Sequence, residues 1–236
     1  MAIDDFNLNL NREICYLCGT SFSGEINRDH VPPQQLYADL IRENHNPNLL
    51  TLPVHKNCNS SYQFDEDYFA VTLMPLGLGS YSGNAFYSEK LSKFKQNKKV
   101  GLIRKILGEF EPRPSGLYLP NDKVLKRFDG VRLGRISWKI VRGLYFYHFK
   151  EFLPEGIKKN IRIVSPGEKP PPEFSDIIND PIRGQYPGVF DYRFTDSLSH
   201  NFHYWALLLW GRIILIIDFQ YPACECNICV APWVSM

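Results

Sequence analysis

Two short runs decide how this chain is read: Cys15-Tyr16-Leu17-Cys18-Gly19 and His55-Lys56-Asn57-Cys58-Asn59. In each, two side chains separated by two residues can face one ion from a single turn. Two such pairs complete the four-coordinate tetrahedral set that zinc takes in structural sites. Cys15, Cys18, His55 and Cys58 are therefore the expected ligands of one structural Zn²⁺. The loop between the pairs would be pinned at its base by the metal, which is how a unit with a small core gains stability. The competing reading is an ordinary surface histidine at 55 beside a buried Cys58. A redox role for Cys15 and Cys18 would need a βαβ context, which the flanking sequence does not offer.

Outward from these pairs, Glu25 to His30 reads as a short strand ended by Pro32-Pro33, and Leu49 to Leu52 as a second strand. A helix is expected from Cys58 or Asn59 to about Leu73. Within it Phe64, Tyr68 and Val71 form one apolar stripe. Asn59, Gln63 and Glu66 share another face. That face reads as solvated, with Gln63 or Glu66 as a further metal ligand the less favoured alternative.

Inside the pinned loop lies Asp29-His30-Val31-Pro32-Pro33, and Asn59 directly follows the second ligand pair. With Asn48-Leu49, these elements resemble, over residues 12–75, the HNH endonucleases, the ββα-metal nucleases. The resemblance implies phosphodiester hydrolysis. His30 would be the general base, Asp29 and Asn59 the ligands of a catalytic Mg²⁺ or Mn²⁺, and Asn48 would orient His30 or brace the loop. A histidine titrating near neutrality can deprotonate water, and a carboxylate is a suitable ligand for either ion. The sequence departs from the commonest family pattern at His55, at Asn59, and in the spacing from Asn48 to the second pair. DNA is the implied substrate, with RNA open to the same chemistry. A zinc-stabilised binding module without cleavage activity is the alternative. HNH domains joined to unfamiliar domains often serve prokaryotic restriction or antiphage defence, so a second copy or a defence-system protein is the implied partner.

Composition sets the frame. The 236 residues are 44% hydrophobic, 22% charged and 14% aromatic, values of a folded globular protein and not of a disordered one. Lys+Arg total 27 against 25 for Asp+Glu, so any nucleic-acid contact must come from local basic faces and not from overall charge. The acidic, polar start Met1-Ala2-Ile3-Asp4-Asp5 lacks the pattern of a secretory signal. The most apolar window, Tyr204 to Ile217, is interrupted by Gly211-Arg212 and reads as strand, turn and strand, not as a membrane span. The expected setting is the cytoplasm, where cysteines serve as ligands or buried thiols more often than as disulfides.

The rest of the chain reads as α+β, with a small zinc-stabilised ββα-metal domain over 1–75, a loop and basic helical connector over 76–128, and a larger domain over 129–236 with antiparallel strands. Met74 to Tyr87 reads as a loop. Ser88 is the expected cap of a lysine-rich helix to Leu107. A second helix is expected over Val131 to Phe152, with Leu133, Ile136, Ile140, Leu144 and Tyr147 on its apolar side. Arg132, Arg135, Lys139 and Arg142 recur on the other side, a stripe suited to phosphate contacts on nucleic acid. Strands are expected over Ile161–Val164, Val189–Phe194, Tyr204–Trp210 and Ile213–Phe219. His148, His200 and His203 sit among aromatics and read as packing residues. Cys224, Cys226 and Cys229 read as semi-buried thiols sooner than as a second metal site.

Overall fold

The computed structural model describes residues 13–45, 49–96, 100–111, 125–186, 188–197 and 201–223. Asn48, His200, Cys224, Cys226 and Cys229 lie outside them, as do Lys98 and Lys99. The architecture is mixed α+β, with antiparallel pairing throughout.

A knuckle at Cys15–Thr20 opens the fold. The Gly19 amide donates to the Cys15 carbonyl at 2.7 Å, and the Cys15 amide to the Thr20 carbonyl at 3.0 Å. Gly19 sits at φ +74°, and a Cβ there would lie 2.8 Å from the Phe152 ring, so position 19 needs glycine twice over. Strands β1 (Ile26–His30) and β2 (Thr51–His55) pair antiparallel, with His30 opposite Thr51 and Ile26 opposite His55. Helix α1 (Asp39–His45) lies between them in sequence. The single helix expected from Cys58 to Leu73 is two: α2 (Lys56–Ser60) and α3 (Gln63–Leu73). The break falls at Ser61-Tyr62, where Tyr62 turns its ring inward beneath Arg135, 4.2 Å from the guanidinium carbon.

Phe64 is not on the apolar stripe assigned to it. It is 79% exposed, while Tyr68 through Leu73 are all buried. Beyond its first turn α3 is covered on every side, so no amphipathic stripe defines it.

The span 74–87 is not a loop. A 3-10 turn (Met74–Gly77) leads into α4 (Tyr81–Lys95). Ser80, not Ser88, caps that helix, accepting from the Gly83 amide at 3.0 Å. Helix α5 (Val100–Gly108) is separate, and a short β3–β4 pair (Phe110–Glu111 with Leu125–Lys126) follows.

Helix α6 (Gly130–Phe149) is the spine of the molecule. Asp129 caps it, accepting from the Arg132 amide, and Lys150 ends it in the left-handed conformation. Strands β5 (Lys159–Val164), β6 (Arg183–Tyr186), β7 (Phe190–Ser197), β8 (Phe202–Leu209) and β9 (Ile213–Gln220) form one sheet in the order β5-β9-β8-β7-β6. β8 alternates half-buried and buried residues along its whole length, the signature of a sheet with one face on a core. That face meets α6 through Trp138 against Phe219, ring centroids 5.0 Å apart. The β8–β9 connection is Trp210, Gly211 and Arg212, so the expected Gly211-Arg212 turn lies within it, and the Arg212 amide donates to the Leu209 carbonyl at 3.0 Å. Trp210 and Gly211 both have positive φ, +50° and +63°, which turns the chain back within this three-residue loop.

Trp210 also ties the sheet to the N-terminal unit. Its indole N–H donates to the Leu36 carbonyl at 3.0 Å, and its ring stacks on Phe86. One buried apolar core therefore runs without a gap from Cys15 through α6 to Phe219. No helix among the described residues is long and apolar enough to cross a membrane.

Candidate functional site

The fold brings the two ligand pairs together. Cys15 and Cys18 come from the knuckle, His55 from the last position of β2, and Cys58 from the first turn of α2. Their ligand atoms all lie within 4.8 Å of one another, and Cys18 Sγ is 3.3 Å from His55 Nδ1. None of the three cysteines is in a disulfide. The electrostatics call for a cation. Burial, Cys15 and Cys18 together push the Cys58 thiol up to about 12. Burial also opposes ionisation of Cys18, but hydrogen bonds from Thr20 and His55 prevail and bring it down to about 6. Three sulfurs this close cannot all be thiolates unless a positive ion offsets their repulsion. The set fits a metal ion such as zinc, which when bound would clamp the knuckle to the β2–α2 junction.

Next to this cluster, β1, α2 and α3 enclose an open cleft of 410 Å³. Asn27, Arg28, Asp29 and His30 supply one wall, Asn59, Ser60, Gln63 and Glu66 the other, and Gln34 and Gln35 close an end. Nearly every lining side chain is polar, a surface suited to a solvated, charged ligand and not to an apolar one. His30 is half-buried at the end of β1. Burial holds its pKa below 6.5, with Asp29 opposing and Arg42 and Lys139 reinforcing the shift. Its ring is thus neutral near pH 7 and able to accept a proton. The next residue fixes its position: Val31 lies directly against Gly143 of α6, where a Cβ would stand 2.7 Å from a Val31 methyl carbon.

Asp29, by contrast, faces inward and is 4% exposed. Its Oδ2 accepts from the Tyr16 hydroxyl at 2.5 Å, and the Lys139 ammonium lies 2.9 Å from Oδ1 and 2.7 Å from Oδ2. Burial and the Asp29 carboxylate raise the Tyr16 pKa well above its usual 10, so the phenol stays a donor. The same ammonium pairs with Glu66 and lies 3.4 Å from Asn59 Oδ1. Gln35 donates to the other Glu66 oxygen at 2.7 Å. Glu66 is only 9% exposed, so the solvated face expected for Asn59, Gln63 and Glu66 is solvated only in part.

A divalent ion on Asp29 and Asn59 does not fit this arrangement. Both side chains already point their oxygens at a buried cation. A dication added beside that ammonium would be repelled by several kcal/mol at the dielectric typical of protein sites.

The basic stripe on α6 also requires correction. Lys139 and Arg142 are 2% and 1% exposed and cannot reach a phosphate. The Arg142 guanidinium donates to the Leu153 carbonyl at 2.7 Å and to the Leu17 carbonyl, so it ties α6 to the metal knuckle. Arg135 pairs with Asp65 at 2.5 Å, and Arg132 pairs with Asp65 at 3.3 Å and with Asp129 at 3.4 Å. Arg132 and Arg135 thus pair with acidic α3 while staying one-third exposed, and only Lys139 and Arg142 are withdrawn from solvent. Arg28, which the sequence did not single out, is instead the exposed cation lining the cleft. Its signal was its position two residues before His30, on the same face of a strand and opposite to Asp29.

Among the packing histidines, His148 and His203 do lie in the aromatic core, and His148 Nε2 is 2.8 Å from the Tyr192 hydroxyl.

A scan against protein-family models returns no match, and searches of curated proteins and of solved structures return none either.

Proposed function

We propose that this chain is an HNH-type endonuclease that hydrolyses phosphodiester bonds of DNA in the cleft beside the Cys3His cluster, with His30 as general base. One observation carries the reading. Asp29-His30 at the end of β1 and Asn59 on α2 meet at a single polar cleft; β1 pairs with β2, whose last residue His55 is a candidate zinc ligand, and Asn59 directly follows another, Cys58. A pure zinc scaffold needs neither the histidine nor the cleft.

In this reading His30 takes the proton from a water as that oxygen bonds to phosphorus. The bond from phosphorus to the leaving sugar oxygen breaks, and that oxygen gains a proton from solvent. Arg28 neutralises charge on a non-bridging phosphate oxygen from the cleft wall, as guanidinium groups do at phosphates. Asn27 and Asn59, 3.4 Å apart, offer amide donors and acceptors on the same surface. Asp29 acts through position, since its carboxylate is held by Tyr16 and Lys139 and so fixes the end of β1. Action in restriction or antiphage defence, with a second copy or a defence protein as partner, extends the same reading by analogy only.

A second reading, a zinc-stabilised nucleic-acid- or protein-binding module without cleavage, is favoured by one observation: the buried Lys139 occupies the oxygens expected to hold a metal. Single-turnover cleavage of labelled duplex DNA by the wild type and by His30→Ala separates the two. The nuclease reading expects cleavage lost in the variant, and the binding reading expects DNA retention with cleavage in neither.

A further inference from the structure

We infer that the ammonium of Lys139 is the resident cation of this site. It takes the place among Asp29, Asn59 and Glu66 that a divalent ion would need, so the cleft binds neither Mg²⁺ nor Mn²⁺ there. The statement refines the nuclease reading by setting its cofactor requirement, but it concerns ion binding and stands apart from whether the chain cuts.

Three elements converge on one atom. From β1, Asp29 presents its two oxygens to Lys139 Nζ at 2.9 and 2.7 Å. From α2, Asn59 Oδ1 lies at 3.4 Å, and from α3 the Glu66 carboxylate completes the set. The surroundings are a hard-oxygen nest of the kind that holds Mg²⁺ or Mn²⁺, with a primary ammonium at its centre. Two carboxylates and an amide oxygen around one positive charge satisfy an ammonium's three donors.

The ammonium is not a visiting surface lysine. Its side chain is 1% exposed and passes the Tyr62 ring, with Nζ 5.2 Å from the ring centroid. The helix that carries it is anchored on both sides of the site. Arg142 reaches the Leu17 carbonyl in the knuckle, and Gly143 abuts Val31 next to His30. Withdrawing Lys139 would leave Asp29 and Glu66 buried without a counter-charge, which is strongly unfavourable. The cation is therefore covalently part of the fold. A nuclease built this way relies on His30 and Arg28 in the cleft and needs no exchangeable divalent ion.

The test is Mn²⁺ binding to the zinc-loaded full-length chain, read by NMR line broadening of the His30 ring and by calorimetry. In the wild type, millimolar Mn²⁺ is expected to leave the His30 ring signals sharp and to give no saturable heat. In Lys139→Met, with the nest emptied of its ammonium, one Mn²⁺ is expected to bind and to broaden those signals. Selective His30 broadening in the wild type would overturn the inference without recourse to any variant. A folded Lys139→Met chain that also binds no Mn²⁺ would overturn it too. If Lys139→Met does not fold, Lys139→Met combined with Glu66→Gln restores the charge balance, and the same two outcomes apply.

Discussion

Gly143 in the middle of α6 and Val31 in the loop after β1 touch so closely that a Cβ on residue 143 would lie 2.7 and 2.9 Å from the two Val31 methyl carbons. A β-branched side chain has little freedom to give way. The contact fixes the backbone next to His30 against the one helix that also supplies Lys139 and Arg142. Gly143→Ala is expected to cost about 1–3 kcal/mol through overpacking, a fall in Tm of roughly 2–4 °C per kcal/mol for a chain of this size. It should also lower any cleavage rate by more than the loss of folded protein explains. An unchanged Tm would mean that the loop relaxes freely and does not position His30.

The Cys15, Cys18, His55 and Cys58 cluster is expected to hold zinc and so to govern folding of the N-terminal unit. Mass spectrometry under native conditions should find one zinc per chain, and Cys58→Ser should lose it. Because the unfolded chain has no preformed site, zinc binding is coupled directly to stability. Removing zinc with a chelator should therefore lower stability by several kcal/mol and broaden the thermal transition. Retention of a full zinc equivalent by both Cys15→Ser and Cys58→Ser would rule out the Cys3His assignment.

Arg142 distinguishes a structural cation from a phosphate contact. Arg142→Met leaves the Leu17 and Leu153 carbonyls without their donor, at a cost of about 1–3 kcal/mol for each orphaned group. A lower Tm with an unchanged salt dependence of DNA affinity is the expected pair of results. A shallower salt dependence would show that Arg142 neutralises a phosphate after all.

His148 makes stability sensitive to acid. Burial, and after it the charges of Arg183 and Lys150, hold its pKa at about 4, below the ordinary 6.5. The ring is neutral in the folded chain but protonates near 6.5 once unfolded. Its contribution is thus complete above pH 6.5 and is lost as pH falls towards about 4. Thermal unfolding across that interval should show a smaller acid loss in His148→Gln than in the wild type. Parallel curves would remove His148 as the cause.

What could be read from the sequence was what local spacing encodes. Cys15, Cys18, His55 and Cys58 announce themselves because each pair sits within one turn, and β8 and β9 because one apolar window is interrupted by Gly211-Arg212. Helix α6 was legible from its apolar residues, but the meaning of its other face was not. Arg132, Arg135, Lys139 and Arg142 look like a solvent-facing stripe because their partners are distant in the chain. Lys139 meets Asp29 across 110 residues, and Arg135 meets Asp65 across 70. The available signal was complementarity: a basic helix face and an acidic first turn of α3, Asp65-Glu66, in one chain. Ser88 was mistaken for a cap because Ser80 lies in a Gly-rich run that reads as loop. Only the bond from the Gly83 amide to the Ser80 hydroxyl identifies the true start of the helix. Asp29 is legible as a site residue from its place beside His30, but its partners Tyr16 and Lys139, 13 and 110 residues away, are not.

The most direct test of the nuclease reading is nicking of supercoiled plasmid by the zinc-loaded protein, with and without added Mg²⁺ or Mn²⁺, beside His30→Ala. His30 is half-buried and makes no structural bond on which the fold depends among those described, so the variant should fold. The account predicts nicking by the wild type that falls by about 10²-fold or more in the variant, the loss typical of a missing general base. It also predicts an acid limb with its midpoint below pH 6.5, because burial lowers the His30 pKa from that value. Equal nicking by the two proteins, or none by a folded, zinc-loaded wild type under any of these conditions, would contradict it.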